Sequence, residues 1–550
     1  MFFRIMSDSP LLTIPTELLI ETLSFLDAAS LCRCREVCRD LKTLVDSTSV
    51  LQYKIELYAT GTESSILDNR NVASRLEKLK SYDKGWAQLA FSARDNIPMK
   101  RGGVWELYGG VLAQNSRMGT FYFNRLPSTI RGIKAKAWTM EPPSFQVRDF
   151  GMDPSQDLLV MIERPKWSRA RGETTHTLHL LSLENNPGQP HPLPRPENRV
   201  LHLVQGFRDP GFSYTIQVSG DHIGLLVITA HYRLHEFVIW NWKTGNMLLD
   251  TVSESILSFS FLSDEHALIC YILPDLDEDD QNFAEPTLTV VNFMKEGNEK
   301  KNFDQLKTTI SFRYPPLNRD LFIPVAFEVR SDPSPPWEPR FDVNVPFHLA
   351  KNHRVYIVSL WVQVSEGIQC LMMFVPLTTF MKHLEQAPLE KEENRIRIWD
   401  EWGPTGTRLM ISPHSHSHVW VCYVYGTRYV ALESHNVLRR DELLCRTYDF
   451  NQPGLRRALR TADESQIVRE EGVGEEIKTS TETIYQLAPT VIPEGDIFAR
   501  EVRTSLPYRW RSIPLGDVAG RLQTSYSVMC TEDNLIVIDQ RNNEYIIHSF

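Results

Sequence analysis

The chain has 550 residues, 42% of them hydrophobic and 23% charged, a balance that excludes a disordered polymer and is ample for a large core. Its formal net charge of −10 disfavours non-specific attraction to nucleic acid or an anionic membrane, so neither partner is expected. The longest apolar runs, IGLLVITA and LMMFVPL, fall well short of a membrane span. MFFRIMSDSP is broken by Arg4 and polar from Ser7, so it lacks the apolar segment of a secretory signal. The expectation is a soluble intracellular protein, cytoplasmic or nuclear.

The first predicted elements lie in IPTELLIETLSFLDAASLCRCREVCRDLKTLV. Pro15 suits a helix start, and the helix runs to about Leu26. On a helical wheel Ile14, Leu18 and Phe25 form one arc, while Leu19, Leu23 and Leu26 form a second further round. Asp27 can cap a second helix from Ala28, along which Leu31, Val37, Cys38, Leu41 and Leu44 recur at three- and four-residue steps. A unit of roughly 40 residues cannot bury this much apolar surface alone. It asks for a partner.

The order Ile14-Pro15, Glu17-Leu18-Leu19, Leu23, Phe25-Leu26-Asp27, Ser30-Leu31, Arg35, Val37-Cys38-Arg39 and Leu41 resembles the F-box, the helical module that docks onto the Skp-type adaptor of cullin-RING ubiquitin ligases. Two positions depart from the usual pattern: Ile14-Pro15 replaces Leu-Pro, and Leu41 replaces a frequent aromatic. The resemblance implies that Ile14, Pro15, Leu18, Leu19, Leu23, Phe25, Leu26, Leu31, Val37, Cys38 and Leu41 bind the adaptor, and through it the cullin-RING ligase. Truncating Leu18 or Leu23 is expected to weaken that binding, and changing Glu17 or Glu21 much less.

From 50 to 115 the text reads mainly as helix, in LQYKIELYATG and SRLEKLKSYDKGWAQLAF. Tyr53 to Leu57 through Gly61, Trp86 and Glu106 to Gly110 resemble the flank that follows the F-box in a set of fungal F-box proteins. Beyond about 120, short runs rich in Val, Ile, Phe, Tyr and Trp recur between Pro, Gly, Asn and Asp, among them LLVMIE, HIGLLVIT, EFVIWNW, ALICYIL and LIVIDQ. Many are apolar on both faces, as in strands covered above and below. Radial blades cover such strands and protect their edges.

EFVIWNWKTGNMLLD (236–250) resembles the end of a WD-type blade, and IRIWDEWGPTGTRLM (396–410) repeats the theme less cleanly. The expected fold is an α+β multidomain chain: an all-α F-box over 10–50, a helical linker over 51–115, and an irregular all-β propeller of about six or seven blades over 116–550. EYIIHSF at the C-terminus is expected to close the ring. DLDEDDQNFAEP, RSDPSPPWEPRF and DESQIVREEGVGEEIKTSTE read as exposed insertions.

Little else suggests chemistry. Asp275, Asp277 and Asp279 alternate, but the loop has Asp280 and Pro286 where a calcium loop needs Gly and Glu. His414, His416 and His418 would share one face of a strand, without a telling carboxylate. Eight cysteines, several inside apolar runs, read as core residues, and Cys32, Cys34 and Cys38 have no second CxxC pair to complete a zinc site. No nucleotide or hydrolase motif occurs. No cofactor, metal or catalytic residue is therefore expected. The expected function is target recognition for a ubiquitin ligase, without catalysis by this chain. The alternatives are a propeller hydrolase or lyase carrying a helical hairpin, with a carboxylate pair in its central pore, and an F-box protein with a scaffold role.

Overall fold

The structure, a computed structural model, describes residues 13–66, 68–170, 172–193, 199–205, 211–229, 234–272, 285–318, 323–340, 343–364, 367–387, 395–412, 422–437, 440–469, 482–495, 497–517 and 526–550. Five helices come first: α1 (Thr16–Ser24), α2 (Ala28–Val37), α3 (Arg39–Ser47), α4 (Ser49–Thr60) and α5 (Val72–Gln88). Asp27 caps α2 by accepting from the Ser30 amide at 2.6 Å, and Cys38 caps α3 through its sulfur, 3.5 Å from the Leu41 amide. Gly61 ends α4 at φ +69°. A Cβ there would also strike the His353 ring, so position and conformation both demand glycine.

Seven sheets of four or more strands follow. At most junctions the first strands of neighbouring sheets touch one another, which fits them as the inner ring of a seven-bladed propeller. From the inside outward, blade two runs Trp105–Tyr108, Val111–Asn115, Phe121–Arg125, Lys136–Met140. Blade three runs Val147–Asp153, Leu158–Glu163, Glu173–Ser182, Arg199–Gln205, and blade four runs Ser213–Ser219, His222–Ile228, His235–Asn241, Met247–Ser253, with Lys300–Asn302 added at its edge. Blades five, six and seven begin at Ile256–Phe261, Ile323–Arg330 and Val424–Tyr425. Blade one is composite: Tyr526–Cys530, Asn534–Asp539 and Glu544–Ser549 come from the C-terminus, and Ala93–Pro98 adds its outer strand. The tail therefore closes the ring, as expected. Central strands are buried on both faces; Leu158 to Ile162 are wholly inaccessible.

Four expectations need correction. Strands at 93–98, 105–108 and 111–115 fall within the span assigned to a helical linker, so the β domain starts before 116. Strand 93–98 shows little apolar alternation because it is an exposed outer strand. The 236–250 phrase does form a hairpin, with a bulge at Ile239/Trp240 and Gly245 at φ +79°. The 396–410 phrase does not: Trp399–Gly406 is a helix joining blades five and six. RSDPSPPWEPRF is largely inward, with Pro333, Ser334, Pro335 and Trp337 buried and the Arg354 guanidinium donating to the Pro333 and Pro335 carbonyls. Finally, the helices are not a separate body. Thr62–Ser64 pairs with Phe347–Leu349, the Tyr82 hydroxyl and Trp86 indole donate to the Glu532 carbonyl at 2.7 and 3.0 Å, and the Asn451 amide donates to the Ala59 carbonyl at 2.8 Å.

Candidate functional site

α1 sorts the two arcs of the helical wheel. Leu19 and Leu23 point inward and, with Leu31, Leu41, Val45 and Leu51, form a closed core to which Ile14, Leu26, Cys38 and Leu44 add partial cover. All members of this cluster lie between residues 14 and 55. α4 supplies the lid: Leu51 and Ile55 face α1–α3, and the Lys54 ammonium donates to the Ser24 carbonyl at 2.8 Å. The other arc faces out. Leu18 is 57% exposed, Phe25 80% and, at the end of α2, Val37 61%. Phe25 retains helical φ and ψ, so it stands seven residues and two turns from Leu18 on the same side. Exposed Pro15, Glu17 and Glu21 flank them. An apolar strip of this kind, beside acidic side chains and uncovered by the propeller, is suited to docking another protein.

A family model of the F-box domain matches residues 11–53. The N-terminal module is an F-box domain. Of the residues expected to bind an adaptor, the F-box exposes Pro15, Leu18, Phe25 and Val37, half-buries Ile14, Leu26 and Cys38, and buries Leu19, Leu23, Leu31 and Leu41. The last four are corrected from contact residues to core. α4 already covers them.

None of the curated proteins compared matches the chain. Among solved structures, cobalt-substituted apocarotenoid oxygenase from Synechocystis is similar over 63% of this chain and 65% of its own, with 11% identity and a TM-score of 0.27. The chain thus spans less than two thirds of the oxygenase. A Saccharomyces cerevisiae assembly of Dbp5 with Nup159, Gle1, IP6 and ADP aligns over 83% and 93%, with 8% identity and a TM-score of 0.30. At these identities and scores the likenesses carry no functional inference.

The propeller offers two further features. First-to-second and third-to-fourth turns share one face of an antiparallel propeller, and the remaining connections share the other. The F-box and α5 meet the first face, through Glu532, Phe347–Leu349 and Asn451. On the opposite face a cavity of about 940 Å³ opens between blades two and three, lined by Arg148, Arg164, Trp167 and Phe212 among others. Arg148 donates to the Phe212 carbonyl at 2.8 Å and Arg164 to the Gln146 side chain at 3.1 Å.

The inner strands carry buried carboxylates. Glu106, from the inner strand of blade two, is pushed up to about 8 by burial and by Asp332 and Asp149. Burial lifts Asp332 to about 6 against Arg330 and Arg354, and also raises Asp149. Glu106 and Asp149 lie on the inner strands of blades two and three and Asp332 just past that of blade six, near enough for both aspartates to act on the Glu106 carboxyl. A carboxylic acid held neutral at pH 7 can donate a hydrogen bond. Sequence reasoning raised such a pair only in general terms, because residues 106, 149 and 332 meet only when the ring closes.

His414, His416 and His418, and Asp275, Asp277 and Asp279, lie outside the described residues. Cys270, Cys370, Cys422, Cys445 and Cys530 are buried free thiols. Among the described residues no helix is long and apolar enough to cross a membrane.

Proposed function

We propose that this chain is the substrate-recognition subunit of an SCF-type cullin-RING ubiquitin ligase, docking a Skp-type adaptor through its F-box and a protein target through the propeller. The observation that carries the reading is the exposed Leu18–Phe25 strip on a domain whose own core is already closed. It is surplus to folding. The propeller face turned away from the F-box, with its large cavity, leaves room for a target while the adaptor is bound. On this reading the chain performs no covalent step; it holds a target lysine near an enzyme recruited by the adaptor, raising its effective concentration.

The test is binding of purified full-length chain to a purified Skp-type adaptor. Phe25→Ala and Leu18→Ala are each expected to cost about 2 kcal/mol or more, as truncated anchors at an interface centre do. Glu21→Gln is expected to cost well under that. Equal losses from both classes, or no adaptor binding by the wild type, would reject the docking face. Turnover of a small molecule in the channel, abolished by Glu106→Gln, would favour the enzyme alternative.

A further inference from the structure

At the rim between blades three and four, three side chains from three strands converge. His202 comes from the outer strand of blade three, and Glu236 and Asp250 from the third and outer strands of blade four. All three are buried, and one ligating atom from each lies within 4.8 Å of the other two. His202 Nε2 stands 3.0 Å from Glu236 Oε1, yet is not aligned to donate to it. Glu236 Oε2 and Asp250 Oδ1 are buried without a hydrogen-bond partner. Directly across the strand pair from His202 is His176. The Tyr214 hydroxyl engages its Nδ1 at 3.0 Å, and its Nε2 is likewise buried and unpartnered.

Four buried polar groups with unmet bonding capacity are costly to maintain. One positive group does reach them: the Lys300 ammonium contacts Glu236 Oε1 from the edge strand beside Asp250. Its side chain is 41% exposed, so it can turn to water. We propose that His202, Glu236 and Asp250 form a divalent transition-metal site that clamps blade three to blade four, with Lys300 as the displaceable occupant in the metal-free protein. One imidazole and two carboxylates suit Zn²⁺ or Mn²⁺ better than Ca²⁺, which takes oxygen ligands. A metal at about 2.1 Å from each donor sets the donors roughly 3–3.5 Å from one another, close to the 3.0 Å at which His202 Nε2 and Glu236 Oε1 already stand. Two carboxylates balance the charge of the ion.

The experiment uses the full chain stripped with chelator and titrated with ZnCl₂ and with MnCl₂, followed by calorimetry and thermal melting. The expected result is one saturable site and a melting temperature higher by several degrees, both lost in Asp250→Asn and in His202→Gln. Co²⁺ should give ligand-field bands without the thiolate charge-transfer absorption of a cysteine site. If those variants fold poorly, Lys300→Met keeps every ligand and removes the competing cation, so it should bind at least tenfold tighter than wild type. No saturable binding by either wild type or Lys300→Met overturns the proposal. So does binding that Asp250→Asn leaves unchanged, because the ion would then sit elsewhere.

Discussion

Leu18 and Leu19 are adjacent in the chain, and one helical step of about 100° separates a docking residue from a core residue. Leu23, sealed against α2–α4, and Phe25, which faces water, are two steps apart, about 200° round the helix. Leu23→Ala is therefore expected to destabilise the F-box by about 2–5 kcal/mol, the cost of a core cavity. Leu18→Ala should leave unfolding within about 0.5 kcal/mol of wild type. Urea melts followed by a probe in the helical region separate the two. The wheel distinguished both arcs from sequence, but which one faces inward depends on where α4 lies, and that is a tertiary fact. Glu106 adds a pH signature. Its native pKa is about 8 against an ordinary 4.5, so the folded state keeps a proton that the unfolded chain has lost, and stability falls as pH rises through that window. Glu106→Gln should lessen the fall between about pH 4.5 and 8 relative to wild type. An identical pH profile in the variant would mean that Glu106 is charged in the folded protein.

Among elements, the closing strand bears the heaviest demand. Glu544–Ser549 lies between Asn534–Asp539 and Ala93–Pro98, and the Phe550 ring packs 4.4 Å from Trp86. Removing residues 544–550 would strip hydrogen bonds from two strands and separate the N-terminal strand from its blade. The expected outcome is loss of cooperative melting, or aggregation; unchanged melting would show that the ring closes without the tail. This element was legible because EYIIHSF alternates and ends the chain. The helix Trp399–Gly406 was not, although its signals were present: Asp400 and Glu401 fill the first turn, and the Glu401 carboxylate accepts from the Ile398 amide at 3.1 Å. Trp and Gly suggested a blade turn instead, and Pro404 argued against a helix. The strand runs indicated a propeller but left its blade number open, since added edge strands such as Lys300–Asn302 and Ile396–Arg397 join blades in parallel from distant sequence.

At the scale of the whole molecule, recruitment and recognition are joined by a rigid seam. A cut between residues 115 and 116, natural if the linker were helical throughout, would remove the outer strand of blade one and the two inner strands of blade two. The propeller should then fail to close on either side of the cut. The separable part is smaller. α1–α3 rest on α4, while α4 and α5 grip the propeller through Tyr53, whose hydroxyl donates to the Pro346 carbonyl at 3.1 Å, and through Arg457, paired with Glu56 and Asp83. Deleting residues 1–47 exposes Leu51 and Ile55 but breaks none of these contacts. That chain should melt cooperatively near the wild-type temperature and fail to capture a Skp-type adaptor. Deleting residues 1–91 also removes Tyr82 and Trp86 from Glu532 and uncovers Phe550. It should melt several degrees lower, as the loss of a few kcal/mol implies for a domain of this size. An unchanged melt after the longer deletion would make the helices passengers on the propeller. Adaptor capture after the shorter one would move the docking surface out of the F-box.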